Sequence, residues 1–118
     1  MKKINRWLHV RRDKRGELTE LFKGEFAQCS LLQMKEKSIW GGHYHKETAE
    51  YFHLLAGEFE IDLYFLKNKK RKTEVFKTGD SFAIEPYTVH TIKVHKPTVC
   101  LILYSRQFSQ KNPDIFHL

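Results

Sequence analysis

Three observations predict an all-β fold in a single domain. Apolar residues alternate with period two in run after run, turn residues break those runs at short intervals, and no segment carries the three-and-four spacing of an amphipathic helix beyond a short turn near the N-terminus. The clearest run is 58–65, where Phe59, Ile61, Leu63 and Phe65 share one face and Glu58, Glu60, Asp62 and Tyr64 share the other. Similar runs, rich in β-branched and aromatic residues, lie at about 17–22, 26–35, 48–55, 73–77, 80–85, 89–95 and 98–105. Between them fall Lys23-Gly24, Gly41-Gly42, Ala56-Gly57, a basic turn after Lys67, Gly79-Asp80, Pro86-Tyr87 and Lys96-Pro97. Many short antiparallel strands at such spacing predict a sandwich or barrel.

Length and composition bound the rest. A chain of 118 residues suits one core, since a domain of this size buries roughly two-thirds of its unfolded surface. With 41% hydrophobic and 14% aromatic residues, disorder is excluded. No apolar stretch approaches the roughly 20 residues of a membrane helix. The opening Met1-Lys2-Lys3 runs into Arg11, Arg12 and Asp13 without the apolar stretch of a signal peptide. A soluble, cytoplasmic protein without a membrane partner is the expectation.

The net charge of +7 is local. Six basic residues and one acid lie within 67–77, leaving 15 basic against 13 acidic residues elsewhere. Such a block reads as a solvated turn able to attract an anion from a distance, and no helix-turn-helix pattern accompanies it, so nucleic acid is not expected as a partner. Cys29 and Cys100, each in an apolar run without metal-finger spacing, are expected as buried, unbridged thiols.

The chemistry concentrates in the middle of the chain. His43 and His45 stand two apart, which in an extended segment points both imidazoles to one face. Glu50 follows; if it faces inward, so do Phe52 and Leu54, while Tyr51 and His53 face out, which removes His53 from the set. A third imidazole, His90, opens a strand after the turn 85–89. One histidine in a strand is more often a satisfied or exposed side chain than a ligand, but three with a carboxylate suit a borderline divalent ion such as Zn, Fe, Mn, Ni or Cu, without selecting among them.

The stretch Gly41-Gly42-His43-Tyr44-His45, with Glu50 and then Gly57, resembles the first cupin motif. Gly79 with Pro86 and His90 resembles the second, although Glu85, Tyr87 and Val94 replace the usual Pro, Gly and Asn. This resemblance implies a single cupin (jelly-roll) β-barrel over 1–118. It also implies a divalent metal on His43, His45, Glu50 and His90; a metal-free form is the alternative, because some cupins acting on nucleotide sugars use the histidines as acid and base.

The flanks narrow the family. Asp13-Lys14-Arg15-Gly16 resembles the Asp-x-Arg-Gly opening of cupins that epimerise or isomerise nucleotide-linked 4-keto-6-deoxy sugars, and Gly41-x-His43-Tyr44 matches their Gly-x-His-Tyr. The tail Asn112-Pro113-Asp114-Ile115-Phe116 resembles the end of the cupin half of capsular-polysaccharide nucleotide-sugar epimerase/reductases. The resemblance implies an epimerase acting on a UDP- or dTDP-linked sugar by proton abstraction beside the ketone, in surface-glycan biosynthesis. The alternatives are a 3,4-ketoisomerase, a non-enzymatic metal- or ligand-binding cupin whose basic hairpin docks to an acidic partner, and an iron dioxygenase supported by the ligand set alone.

Roles follow from the same alignment. His43 matches the base of the related epimerases; if it binds metal instead, Tyr44, Tyr87 or Lys37 takes the proton. Trp40 replaces the Arg expected to contact the diphosphate, so Arg15 is the substituting cation, with Arg11, Arg12 and Lys46 in reserve. Trp40 and Trp7 are candidate stacking platforms, whereas Phe59, Phe65, Phe76 and Phe82 read as core. Cupins commonly dimerise, so a homodimer is expected, with the arm 1–16 in the contact and 106–118 as a C-terminal tail.

Overall fold

The alternating runs become eight β-strands, with no helix among the residues 9–118 that the computed structural model describes. Trp7 and most of the arm up to Val10 lie outside those residues. No described helix is long and apolar enough to cross a membrane. Among the described residues, strands β1 (His9–Asp13) and β2 (Gly16–Glu20) pair only with each other, as a hairpin. The remaining six, β3 (Gln28–Met34), β4 (Ile39–His43), β5 (Glu50–Phe65), β6 (Lys70–Lys77), β7 (Ser81–Ile84) and β8 (Thr88–Tyr104), form one antiparallel sheet in the order β3-β8-β5-β6. On it β4 pairs with β8 and β7 with β5.

Two long strands organise the sheet. Sequence patterning divides each of β5 and β8 at a break, Ala56-Gly57 and Lys96-Pro97, but both continue through it across a series of register shifts between Leu54 and Phe59. The first half of β5 pairs with β7 and the second half with β6, so the irregularity is where the sheet changes partner and bends. Gly57 makes the bend possible: its φ is +106°, and a Cβ there would lie 2.5 Å from the Pro97 carbonyl oxygen and 2.3 Å from Thr98 Oγ1. The result is all-β. This is the expected cupin-type jelly roll, and its sheet is open: β3 and β6 end it rather than pair with each other.

The core is the inward face of β5 and β8 with β6 and β7. Phe59, Phe76 and Phe82 are fully buried, with the Phe76 and Phe82 rings stacked at 4.2 Å and Phe52 on the other side of Phe82 at 4.7 Å. Cys100 belongs to this core, and burial pushes its thiol up to about 12. Cys29 does not: alternation along β3 turns it and Leu31 to the solvent, contrary to the expectation of two buried thiols. The basic residues 69–72 lie exposed at the β5–β6 turn and the start of β6.

Candidate active site

His43 ends β4, His45 lies in the loop that follows, Glu50 opens β5, and His90 is the third residue of β8. Antiparallel pairing sets His43 opposite His90 across β4 and β8, with a register shift between Gly41 and His43. Gly41 permits that approach. Its φ is +87°, and a Cβ would stand 2.5 Å from the His90 carbonyl oxygen. One ligand atom from each of His43, His45, Glu50 and His90 lies within 4.8 Å of all the others.

Backbone carbonyls orient two of the imidazoles. His45 Nδ1 donates to the Asp114 carbonyl at 2.7 Å and His90 Nδ1 donates to the Thr88 carbonyl at 3.1 Å. A carbonyl only accepts, so both rings carry hydrogen on Nδ1, and each Nε2 is left facing Glu50 Oε1. His45 Nε2 is in direct contact with that oxygen, and His90 Nε2 is 3.8 Å from it. His45 Nε2 is buried and has no hydrogen-bond partner of good geometry. Two acceptors cannot share such a contact unless a proton or a cation lies between them. A divalent ion meets that need, and imidazoles anchored through their far nitrogen are how proteins aim such ligands. The donor set of three nitrogens and one carboxylate therefore fits a divalent metal.

Electrostatics agree with that chemistry. Burial pushes the Glu50 carboxyl up, but the His45 contact and the neighbouring His90, His45 and His43 outweigh it and hold the group below its usual range. Burial pulls His45 down, yet Glu50 and Asp114 together raise it. His90 is lowered, chiefly by burial. His43 falls to about 4, through burial and then repulsion from His90 and His45. At neutral pH His43 and His90 thus keep their lone pairs and Glu50 its charge.

These groups line a cavity of about 350 Å³, whose other walls include Leu32, Phe52, Ile92 and Ile102. Trp40, 40% exposed, stands at its rim with Phe108 and Ile115. Tyr104 also lines it, its phenol raised by burial and so protonated at neutral pH. Arg106 is the one Lys or Arg among the described residues that line it; its Nη1 lies 3.6 Å from Asp114 and 3.7 Å from Glu47.

Several sequence candidates are placed elsewhere. Alternation that turns His43 and His45 inward turns Tyr44 outward, where its ring meets Tyr87 at 6.2 Å and Phe116 at 5.7 Å. Lys46 Nζ sits 4.2 Å from the Phe116 ring centroid. Tyr44, Lys46 and Tyr87 do not line the cavity, nor does Lys37, which occupies the turn before β4. Arg15 lies at the tip of the hairpin formed with Asp13, its Nη2 2.7 Å from that carboxylate, while Arg12 pairs with Glu17 and Arg11 shares the same hairpin. His53 faces away and meets Ser81 Oγ at 2.7 Å. Arg106, Tyr104 and Asp114 had no role in the sequence reading. Only Asp114 carried a signal, within the tail resemblance.

A family model described as polysaccharide biosynthesis C-terminal domain matches residues 11–116. No curated protein gives a significant sequence match. Among solved structures, the capsular polysaccharide assembling protein CapF from Staphylococcus aureus superposes with a TM-score of 0.73 at 19% identity, covering 93% of this chain and 34% of that one. QdtA, a sugar 3,4-ketoisomerase from Thermoanaerobacterium thermosaccharolyticum in complex with TDP, gives 0.76 at 18% identity, over 95% of this chain and 85% of that one. The dTDP-4-dehydrorhamnose 3,5-epimerase from Sulfolobus tokodaii gives 0.72 at 16% identity, over 86% and 69%. This chain thus spans about a third of the length of CapF, and shares with all three the cupin fold that its two motifs predict.

Proposed function

This chain belongs to the polysaccharide biosynthesis C-terminal domain family, and from that premise we propose that it is a cupin-type nucleotide-sugar epimerase acting on a UDP- or dTDP-linked 4-keto-6-deoxy sugar. The observation that carries the proposal is the composition of one cavity: a cluster of three imidazoles and a carboxylate, half-buried at His43 and buried at the other three, beside an apolar wall, with an aromatic rim and one guanidinium.

Arg106 in this reading holds the diphosphate, because a planar guanidinium donates two hydrogen bonds to a phosphate at once. Trp40 offers a face to the base or sugar. His45, Glu50 and His90 would hold the divalent ion, a division supported by the carbonyl anchors on His45 and His90, which His43 lacks among the described residues. An ion bound there supplies polarisation of the ketone oxygen.

His43 takes the proton. The C–H bond beside the ketone breaks, its electron pair moves into an enolate, and the proton passes to an imidazole nitrogen that is neutral at pH 7. So weak a base requires an acidified carbon, which a polarised ketone provides. A second proton, donated to the opposite face by the Tyr104 phenol that lines the same cavity, gives the epimer; His43 then releases its proton to water and the Tyr104 phenolate takes one back.

A homodimer is part of the proposal. The outer face of β3 exposes Leu31, and β5, on the far side of β8, exposes Leu55, apolar surface of the kind a second copy covers.

The test is deuterium exchange. Incubation with UDP- and dTDP-4-keto-6-deoxy sugars in deuterated water, followed by NMR, should put deuterium on the carbon beside the ketone. A ketone that moves to the neighbouring carbon would identify a 3,4-ketoisomerase instead. Absence of deuterium with both nucleotides would remove either activity.

A further inference from the structure

We infer that Asp114 is a positioning residue of this site: its carboxylate pins the loop 46–48, and its own carbonyl thereby fixes the tautomer of His45. The inference rests on His45 belonging to the working site, as proposed above.

The contacts are unusual for a residue in a C-terminal tail. Asp114 is 3% exposed. Its Oδ1 accepts from Lys46 N at 2.9 Å, and its Oδ2 accepts from Glu47 N and Thr48 N at 2.9 Å and from Thr48 Oγ1 at 2.8 Å. Three successive amides converging on one carboxylate make an anion-binding concavity, and the loop they define joins His45 to Glu50. The carboxyl stays ionised because these donors outweigh its burial.

The same residue turns its main chain to the site. Its φ is +56°, a left-handed conformation that Asp adopts more readily than most residues, and its carbonyl accepts from His45 Nδ1 at 2.7 Å. The tail is tied down beside it by paired hydrogen bonds between Tyr44 and Phe116, at 2.9 and 3.0 Å. Side chain and carbonyl of one residue thus grip opposite ends of one short segment. If the carboxylate is removed, the loop and the tail lose their common anchor, and the carbonyl is no longer held against the imidazole. His45 is then free to carry its hydrogen on Nε2 and donate it to Glu50, which closes the lone pair that the site needs open.

The experiment follows the His45 ring nitrogens by NMR in metal-free protein labelled with ¹⁵N-histidine, comparing wild type with Asp114→Ala and Asp114→Asn beside thermal melts. Wild type, read at a pH alkaline enough for the His45 ring to be neutral, should show the Nδ1–H form. In Asp114→Ala the ratio of Nδ1–H to Nε2–H should fall by about tenfold, the worth of one hydrogen bond. Asp114→Asn, which keeps the volume but sets an NH₂ group against backbone amides, should fall in the same direction and serves as the deciding variant if the alanine protein does not fold. A folded variant in which His45 keeps its wild-type nitrogen shifts overturns the inference. Failure of deuterium exchange together with a shifted tautomer would sink the epimerase reading and leave this one standing.

Discussion

β5 and β8 bury side chains along one continuous inward face, yet their two regions do so on different terms. Toward the bend, Phe59, Phe76 and Phe82 exclude water completely and need nothing but one another. Near Glu50 and His90 the same face buries a carboxylate and imidazoles to 6% and 3% exposure, with His45 at 8%. Apolar burial stabilises by about 25 cal/mol per Å², whereas a buried polar group costs free energy unless each donor and acceptor is met. The aromatic region is therefore self-sufficient. The polar region takes its partners from backbone carbonyls, that of Thr88 at the start of β8 and that of Asp114 in the tail, and leaves the His45 and Glu50 lone pairs facing each other. Stability resides in the first region, and reactivity is stored in the second.

The largest effect should come from the aromatic region. Phe82→Ala, which empties the space between Phe52 and Phe76, should lower the free energy of unfolding by about 3–5 kcal/mol in urea titrations. A loss below about 1 kcal/mol would break the contrast.

Next is Glu50→Gln. Metal affinity, followed by competition with a coloured chelator, should drop by about 100-fold or more, because the one anionic ligand is gone. Stability should change by only about 1 kcal/mol, since the new amide can donate to His45 Nε2 and settle the opposed lone pairs. A large stability loss with unchanged metal affinity would reverse the division of labour drawn here.

A smaller effect should separate two arginines. Arg106→Ala should weaken binding of a nucleoside diphosphate, measured calorimetrically, by about 10- to 100-fold, the worth of a charged hydrogen bond or two. Arg15→Ala should leave that affinity unchanged within about twofold, because it sits on an exposed hairpin and does not line the cavity. The opposite ranking would move the diphosphate to the hairpin.

Residue patterns were most legible where the relevant physics is local. The period of two placed Phe59, Ile61 and Leu63 in the core, and carried Glu50 inward with Phe52 and Leu54 while turning His53 out. The same pattern missed β4, because Gly41-Gly42 reads as a break when it is the point of closest approach to His90. It split β5 at Gly57 for a similar reason. A glycine that opens a turn and one that lets two strands touch look alike until the partner is known.

By itself the sequence determined the all-β class, the inward face of β5 and the four groups of the site, because side-chain alternation is a steric property of the extended chain and the two motifs carry their spacing within short segments. Only the tertiary structure decided that the sheet bends without closing, that Tyr44, Lys46 and Tyr87 cluster outside the cavity, that Arg106 lines it and that Asp114 meets His45 and the loop after it. His45 and Asp114 stand 69 residues apart, and their hydrogen bond has no counterpart in local periodicity. It forms because a buried imidazole and four neighbouring donors must find acceptors once water is gone, and the folded tail is what supplies them.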